Sequence, residues 1–101
     1  MIKVKRDNNS ISVKGHANYG KRGEDVVCAG VSTLAQTLVV SIETLTTDKI
    51  KCHRSAGNMV IEHGDLSEKS KLLINSFFIG IDLIAGVFPE NVQVELFENF
   101  E

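Results

Sequence analysis

One histidine and one cysteine bracket a glycine-punctuated loop in the run Gly15-His16-Ala17-Asn18-Tyr19-Gly20-Lys21-Arg22-Gly23-Glu24-Asp25-Val26-Val27-Cys28-Ala29-Gly30-Val31-Ser32. Alternation upstream puts His16 at the end of a β-strand. Helical periodicity downstream puts Cys28 in the first turn of a helix. A thiol becomes a nucleophile when a base lies nearby and the thiolate is favoured. A strand end and a helix start joined by a short loop can supply both. Asp25 is a good N-cap, because its carboxylate accepts orphan amide hydrogens of the new helix. Cys28 is then the third helical residue, among free N–H groups at the positive end of the helix dipole, and both favour thiolate over thiol. His16 would act as general base or ion-pair partner, and later as general acid to a leaving amine. Amides of the same turn are natural donors for a developing oxyanion. Ser32, one turn on, can reach its hydroxyl back toward the sulfur, since helical side chains lean toward the N-terminus.

Each of these residues also has a plainer role. Cys28 fits a small core position on an apolar helix. His16 fits a half-exposed polar group at a strand end. Asp25 is most simply a cap, and as an anion it would oppose a neighbouring thiolate. Ser32 is a small residue that suits a helix–sheet contact, and Gly20 and Gly23 suit ordinary turns. Cysteine–histidine pairs have no universal spacing. Spacing alone therefore leaves nucleophile and core residue both open.

The elements that must position these groups read clearly. Ile2 and Val4 alternate with Lys3 and Lys5, and Ile11 and Val13 alternate with Ser12 and Lys14, around the turn signal Asp7-Asn8-Asn9-Ser10. Val27, Val31, Leu34, Ala35, Leu38, Ile42 and Leu45 recur at helical spacing, and Val26, Val39 and Val40 place apolar groups on a second face, predicting a helix covered on more than one side. Thr46-Thr47-Asp48 ends it. A second strand pair turns at Ala56-Gly57-Asn58, with Cys52 on the same face as Ile50 and so in the core. Ser67 caps a second helix with the stripe Leu73, Phe77, Ile81, Ile84 and Phe88, which Pro89 stops. Val92, Val94 and Leu96 alternate in a last strand. The order ββαββαβ predicts an α+β sandwich, two helices packed on a small, mostly antiparallel sheet.

A chain of 101 residues is read as one domain, 1–101, and 43% apolar residues suffice for a core. A net charge of −2 runs against direct nucleic-acid binding, which favours a basic surplus. The opening residues read as a strand rather than a signal peptide. The longest uncharged run, residues 26–42, carries Ser, Thr and Gln and is short for a bilayer, so no membrane association is expected. Two cysteines without an export signal read as reduced thiols in a cytoplasm. Cys52, His53 and His63 could join the loop pair in a zinc site, but neighbours on a strand face opposite sides, so no metal or other cofactor is expected. Residues 17–24 hold only Ala17, Tyr19 and glycines to pin them, which predicts a mobile segment that gates the site, with Tyr19 its one large side chain.

The run from Gly15 to Ser32 closely resembles the signature of the ribosomal-processing cysteine protease (Prp) family: G-H-A, a glycine-containing loop, then D-x-V-C-A-x-x-S. Gly15, His16, Ala17, Gly20, Gly23, Asp25, Val27, Cys28, Ala29 and Ser32 keep every element of it. The length and element order fit over the whole chain. The resemblance implies a small cytoplasmic, homodimeric endopeptidase that removes the N-terminal extension of a large-subunit ribosomal protein. It puts His16 and Cys28 on the catalytic dyad, Asp25 and Ser32 on supporting positions, and Ala17, Tyr19, Gly20 and Gly23 on the loop over the substrate cleft. Asn18, Tyr19, Lys21 and Arg22 stand at variable loop positions. Two other classes remain: a non-enzymatic ribosome-associated binding protein, and a redox sensor using Cys28, which the lack of a CxxC pair disfavours.

Overall fold

The computed structural model describes residues 1–21 and 24–96. Its elements run β1 (Ile2–Arg6), β2 (Ser10–Lys14), α1 (Val26–Leu45), β3 (Ile50–Ser55), β4 (Asn58–His63), α2 (Glu68–Val87) and β5 (Val92–Leu96). This is the order expected from the sequence. The five strands form one sheet in the order β3-β4-β2-β1-β5. All pairings are antiparallel except β1 with β5, where Val4 stands opposite Val94.

Alternation decides which face is covered. Ile2, Val4, Ile11, Met59, Ile61 and Val92 point inward and are buried, while Lys3, Lys5, Lys14, Lys51 and Glu62 hold the other face exposed. Both helices lie on the apolar face. From α1, Val27, Val31, Ala35, Leu38 and Ile42 enter the core; from α2, Ile74, Phe77, Phe78 and Ile81 do. The helices meet closely where Gly80 faces Leu34 and Gly30 faces Ile84.

Several sequence expectations need adjustment. Of the second apolar face of α1, Val39 is buried, but Val26 and Val40 are exposed, as is Leu45 at the helix end. One sheet lies on one side of α1, so only the flank toward α2 gains further cover. On α2, Ile74 and Phe78 are buried beside the expected stripe, while Leu73, Ile84 and Phe88 are partly covered at its edge. Cys52 is half-buried against the core edge.

The caps fall where the sequence put them. Ser67 Oγ accepts from Ser70 N–H, and Thr46 closes α1 by donating its backbone N–H to Ile42. Asp48 then links the two helices. It accepts from the Ser67 N–H and from the hydroxyls of Ser67 and Ser70. Those bonds, the Ser67 and Ser70 hydroxyls foremost, hold its carboxyl below the usual 3.8.

Candidate active site

The strand end and the helix start meet as their types require. Asp25 caps α1 with extended backbone, and its Oδ1 accepts from the N–H groups of Val27 and Cys28 at 3.0 Å each. Its Oδ2 reaches back over the loop and accepts from Tyr19 N–H at 2.9 Å and Gly20 N–H at 3.2 Å. Burial pushes this carboxyl up. The four backbone donors, from Cys28, Gly20, Tyr19 and Val27, outweigh burial and hold it below 3.8, so it stands ionised. One carboxylate thus caps the helix and ties down the loop in front of it.

This has a cost for the oxyanion expectation. Val27 and Cys28 N–H donate to the Asp25 carboxylate, and Ala29 N–H donates to the Asp25 carbonyl at 3.0 Å. The first-turn amides expected to meet an oxyanion are therefore engaged by the cap. The sulfur takes its hydrogen bond from the loop instead: Ala17 N–H donates to Cys28 Sγ at 3.3 Å. Among the described residues this is the one hydrogen bond to that sulfur; the Ser32 hydroxyl does not make it. Ser32 lies one turn below, on the cleft wall.

His16 is placed by two glycines. Gly15 has φ +100°, and a Cβ there would run into the Met1 carbonyl; its N–H donates to Gly57 O at 2.8 Å. Gly57 has φ +73° in the β3–β4 turn, and a Cβ there would sit 2.8 Å from His16 Nε2. The imidazole therefore rests on the bare backbone of Gly57, a close approach that only glycine allows. Two cavities flank this point. One, of about 430 Å³, is lined by His16, Asn18, Gly20, Asp25, Cys28, Ala29 and Ser32. The other, of about 270 Å³, lies toward the β3–β4 turn, with an apolar floor of Ile2, Val13, Val31 and Met59 and a polar rim including Gln36, Arg54 and Asn58. His16, Cys28 and Ser32 line both.

The loop makes contacts that the sequence does not show. Ala17 is 1% exposed and packs in the core, so its side chain does not face the cleft. Its carbonyl accepts from Asn91 Nδ2 at 2.9 Å. Tyr19 stacks edge-on against Phe88, with centroids 4.9 Å apart, and is half-exposed. Asn18 holds φ +55°, a left-handed conformation that a non-glycine keeps only where its surroundings hold it. In this structure Asp25, Asn91 and Phe88 each hold part of residues 17–20. Arg22 and the predicted loop residue Gly23 lie outside the described residues. Sequence reading missed Gly57 and Asn91. The first showed only as part of a turn, the second only as a residue after a helix stop.

A half-buried thiol at the third position of a helix, a histidine on the same cleft and peptide-sized cavities on both sides define a cysteine-hydrolase type of site. The sequence profile of the cysteine protease Prp family matches residues 1–93. The chain belongs to that family of cysteine proteases. A relative, the ribosomal processing cysteine protease Prp of Staphylococcus aureus, is 26% identical over 87 residues, covering 83% of this chain and 82% of the relative. Its counterpart in Bacillus subtilis is 25% identical over 92 residues, covering 84% and 82%. The fold matches a crystal structure of the S. aureus protease with a covalently linked product peptide at a TM-score of 0.89, with 24% identity over 96% of this chain and all of that one.

Proposed function

We propose that this chain is the endopeptidase that removes the N-terminal extension of a large-subunit ribosomal protein, with Cys28 as nucleophile and His16 as its proton carrier. The observation that carries the assignment of residues is the meeting of His16 and Cys28 on the wall shared by two cavities, with a backbone N–H on the sulfur. An extended peptide running from one cavity to the other passes its scissile carbonyl over Cys28.

The steps follow from that geometry. The thiolate attacks the carbonyl carbon, and a carbon–sulfur bond forms. His16, protonated, gives its proton to the leaving nitrogen as the carbon–nitrogen bond breaks. The amine product leaves, and a thioester remains on Cys28. His16, now neutral, takes a proton from water, which attacks the thioester and returns the thiolate. Asp25 does not touch the reacting atoms; it holds the helix start and the loop together. Ser32 lines the cleft beside the thiol, within reach of substrate. Gly20 lines the cleft over which the peptide lies; Tyr19, stacked on Phe88 beside it, offers an exposed ring to the same peptide, and Gly23 belongs to the loop by its place in the signature.

We also propose a cytoplasmic homodimer that uses no cofactor, membrane or nucleic acid. The outer face of α2 favours a second copy: Leu72, Ile79, Leu83 and Val87 are each 64–71% exposed at helical spacing. The test of the dyad is hydrolysis of a peptide spanning the precursor junction by Cys28→Ala and His16→Ala proteins. Each should lose activity with its circular-dichroism spectrum unchanged. Near-wild-type turnover by either variant would remove that residue from its role.

A further inference from the structure

The corner between α2 and β5 grips the loop that carries His16. Asn91 Nδ2 donates to the Ala17 carbonyl at 2.9 Å, and Ala17 N–H donates to Cys28 Sγ at 3.3 Å. Asn91 is itself held by the backbone: its N–H donates to Phe88 O at 3.0 Å, and its carbonyl accepts from Ile2 N–H at 2.8 Å. Phe88, at the same corner, carries the Tyr19 ring. Between these two contacts lies Asn18, whose left-handed backbone depends on such support.

We propose that Asn91 is a positioning residue for proteolysis: it fixes Ala17 so that the Ala17 N–H stays on the Cys28 sulfur and His16, one residue earlier, stays on the cleft. The proposal deepens the reading of Cys28 as nucleophile and rests on it. The cap leaves little else to do this work, because Val27, Cys28 and Ala29 N–H all go to Asp25. A bond from N–H to thiolate is charge-assisted, whereas one to a neutral thiol is weak, so the Ala17 donor favours the reactive form. The donor is useful only if the peptide that bears it holds still. Without Asn91 the Ala17 carbonyl loses its anchor and residues 17–18 can turn away. The titratable groups that share the cleft with Cys28 are His16 and Asp25, with Arg54 on the far wall, whereas the Asn91 side chain donates to a backbone carbonyl.

The test has an arm without any variant. In wild-type protein, the Ala17 amide signal in proton–nitrogen spectra should move with pH at the midpoint found for iodoacetamide labelling of Cys28. An Ala17 signal that stays fixed through that range overturns the proposal. In Asn91→Ala protein, kcat should fall about tenfold while KM stays within about twofold, and Cys28 labelling at neutral pH should slow in parallel. Cys52 labelling should not change. Asn91→Gln, which keeps a donor on a longer stem, should recover part of the loss. Wild-type kcat and Cys28 labelling in folded Asn91→Ala would overturn the proposal; if that variant does not fold, Asn91→Asp, which keeps the shape but offers no donor at neutral pH, decides by the same two readouts. Full activity of Cys28→Ala would instead sink the nucleophile reading, whatever Asn91 does.

Discussion

Gly57 is the sharpest place to perturb the site without touching the dyad. In Gly57→Ala the new Cβ would stand 2.8 Å from His16 Nε2 and 3.1 Å from Cε1. Ordinary contact begins at about 3.5 Å, so the ring must retreat by about 0.7 Å. Two effects separate. The backbone keeps φ +73°, which costs a non-glycine residue roughly 1–2 kcal/mol. In a domain of this size that is a fall in Tm of about 4–8 °C for each kcal/mol. The imidazole itself is exposed and can swing aside at little cost in stability. Catalysis has no such tolerance: a 1 Å misplacement costs on the order of a hundredfold, so kcat/KM should fall by between about tenfold and a hundredfold. Gly57→Asn separates the two further. Asn accepts the left-handed region far better but still carries a Cβ, so it should recover Tm and not activity. Initial rates on the junction peptide and thermal unfolding read both quantities. Wild-type kcat/KM in Gly57→Ala would show that the seat of His16 on Gly57 does not matter to the reaction.

The remaining expectations test the cap, the helix link and the thiols. In Asp25→Asn the single amide oxygen can keep the Val27 and Cys28 bonds, but the NH2 group cannot accept from Tyr19 and Gly20. Hydrogen exchange should therefore accelerate at Tyr19 and Gly20 while α1 stays protected; equal exchange in both proteins would deny Asp25 its hold on the loop. Asp25 and Asp48 both have folded-state pKa values below 3.8, so the stability they contribute is present above that pH and is lost as pH falls through the lowered values. Asp48→Asn should accordingly flatten the acid limb of a urea-midpoint curve measured against pH, and an unchanged limb would count against the helix link. Cys28 should react with iodoacetamide faster than Cys52, which packs at the core edge of β3; the reverse order would remove the case for an activated thiol at the helix start.

What the sequence revealed was what local periodicity and capping determine. The period of two in Ile2–Arg6 and the helical spacing from Val27 to Ile42 each name an element without reference to the rest of the chain. Asp25, Ser67 and Thr46 mark helix ends because orphan N–H and C=O groups are satisfied within a few residues. The His16–Cys28 pair was legible for the same reason, since one loop joins them. Contacts between distant segments were not. Asn91 and Ala17 are 74 residues apart, and nothing near Pro89 signals an amide aimed at the loop. Gly57 looked like any turn glycine until the sheet order placed the β3–β4 turn beside the end of β2, where Lys14 pairs with Asn58. The contacts of residues 17–20 were not legible either, because counting apolar side chains says nothing of the backbone hydrogen bonds to Asp25 and Asn91.

The fate of a precursor is the most direct test of Cys28 as a proteolytic nucleophile. The wild-type protein and Cys28→Ala should each be incubated with the unprocessed large-subunit ribosomal protein, and the products weighed by intact mass spectrometry. The wild-type reaction should yield a shortened protein and a short N-terminal peptide whose masses sum to the precursor plus one water, and Cys28→Ala should leave the precursor intact. A precursor untouched by wild-type protein, or one cut equally well by Cys28→Ala, would contradict the claim that this cleft is a cysteine protease acting through Cys28.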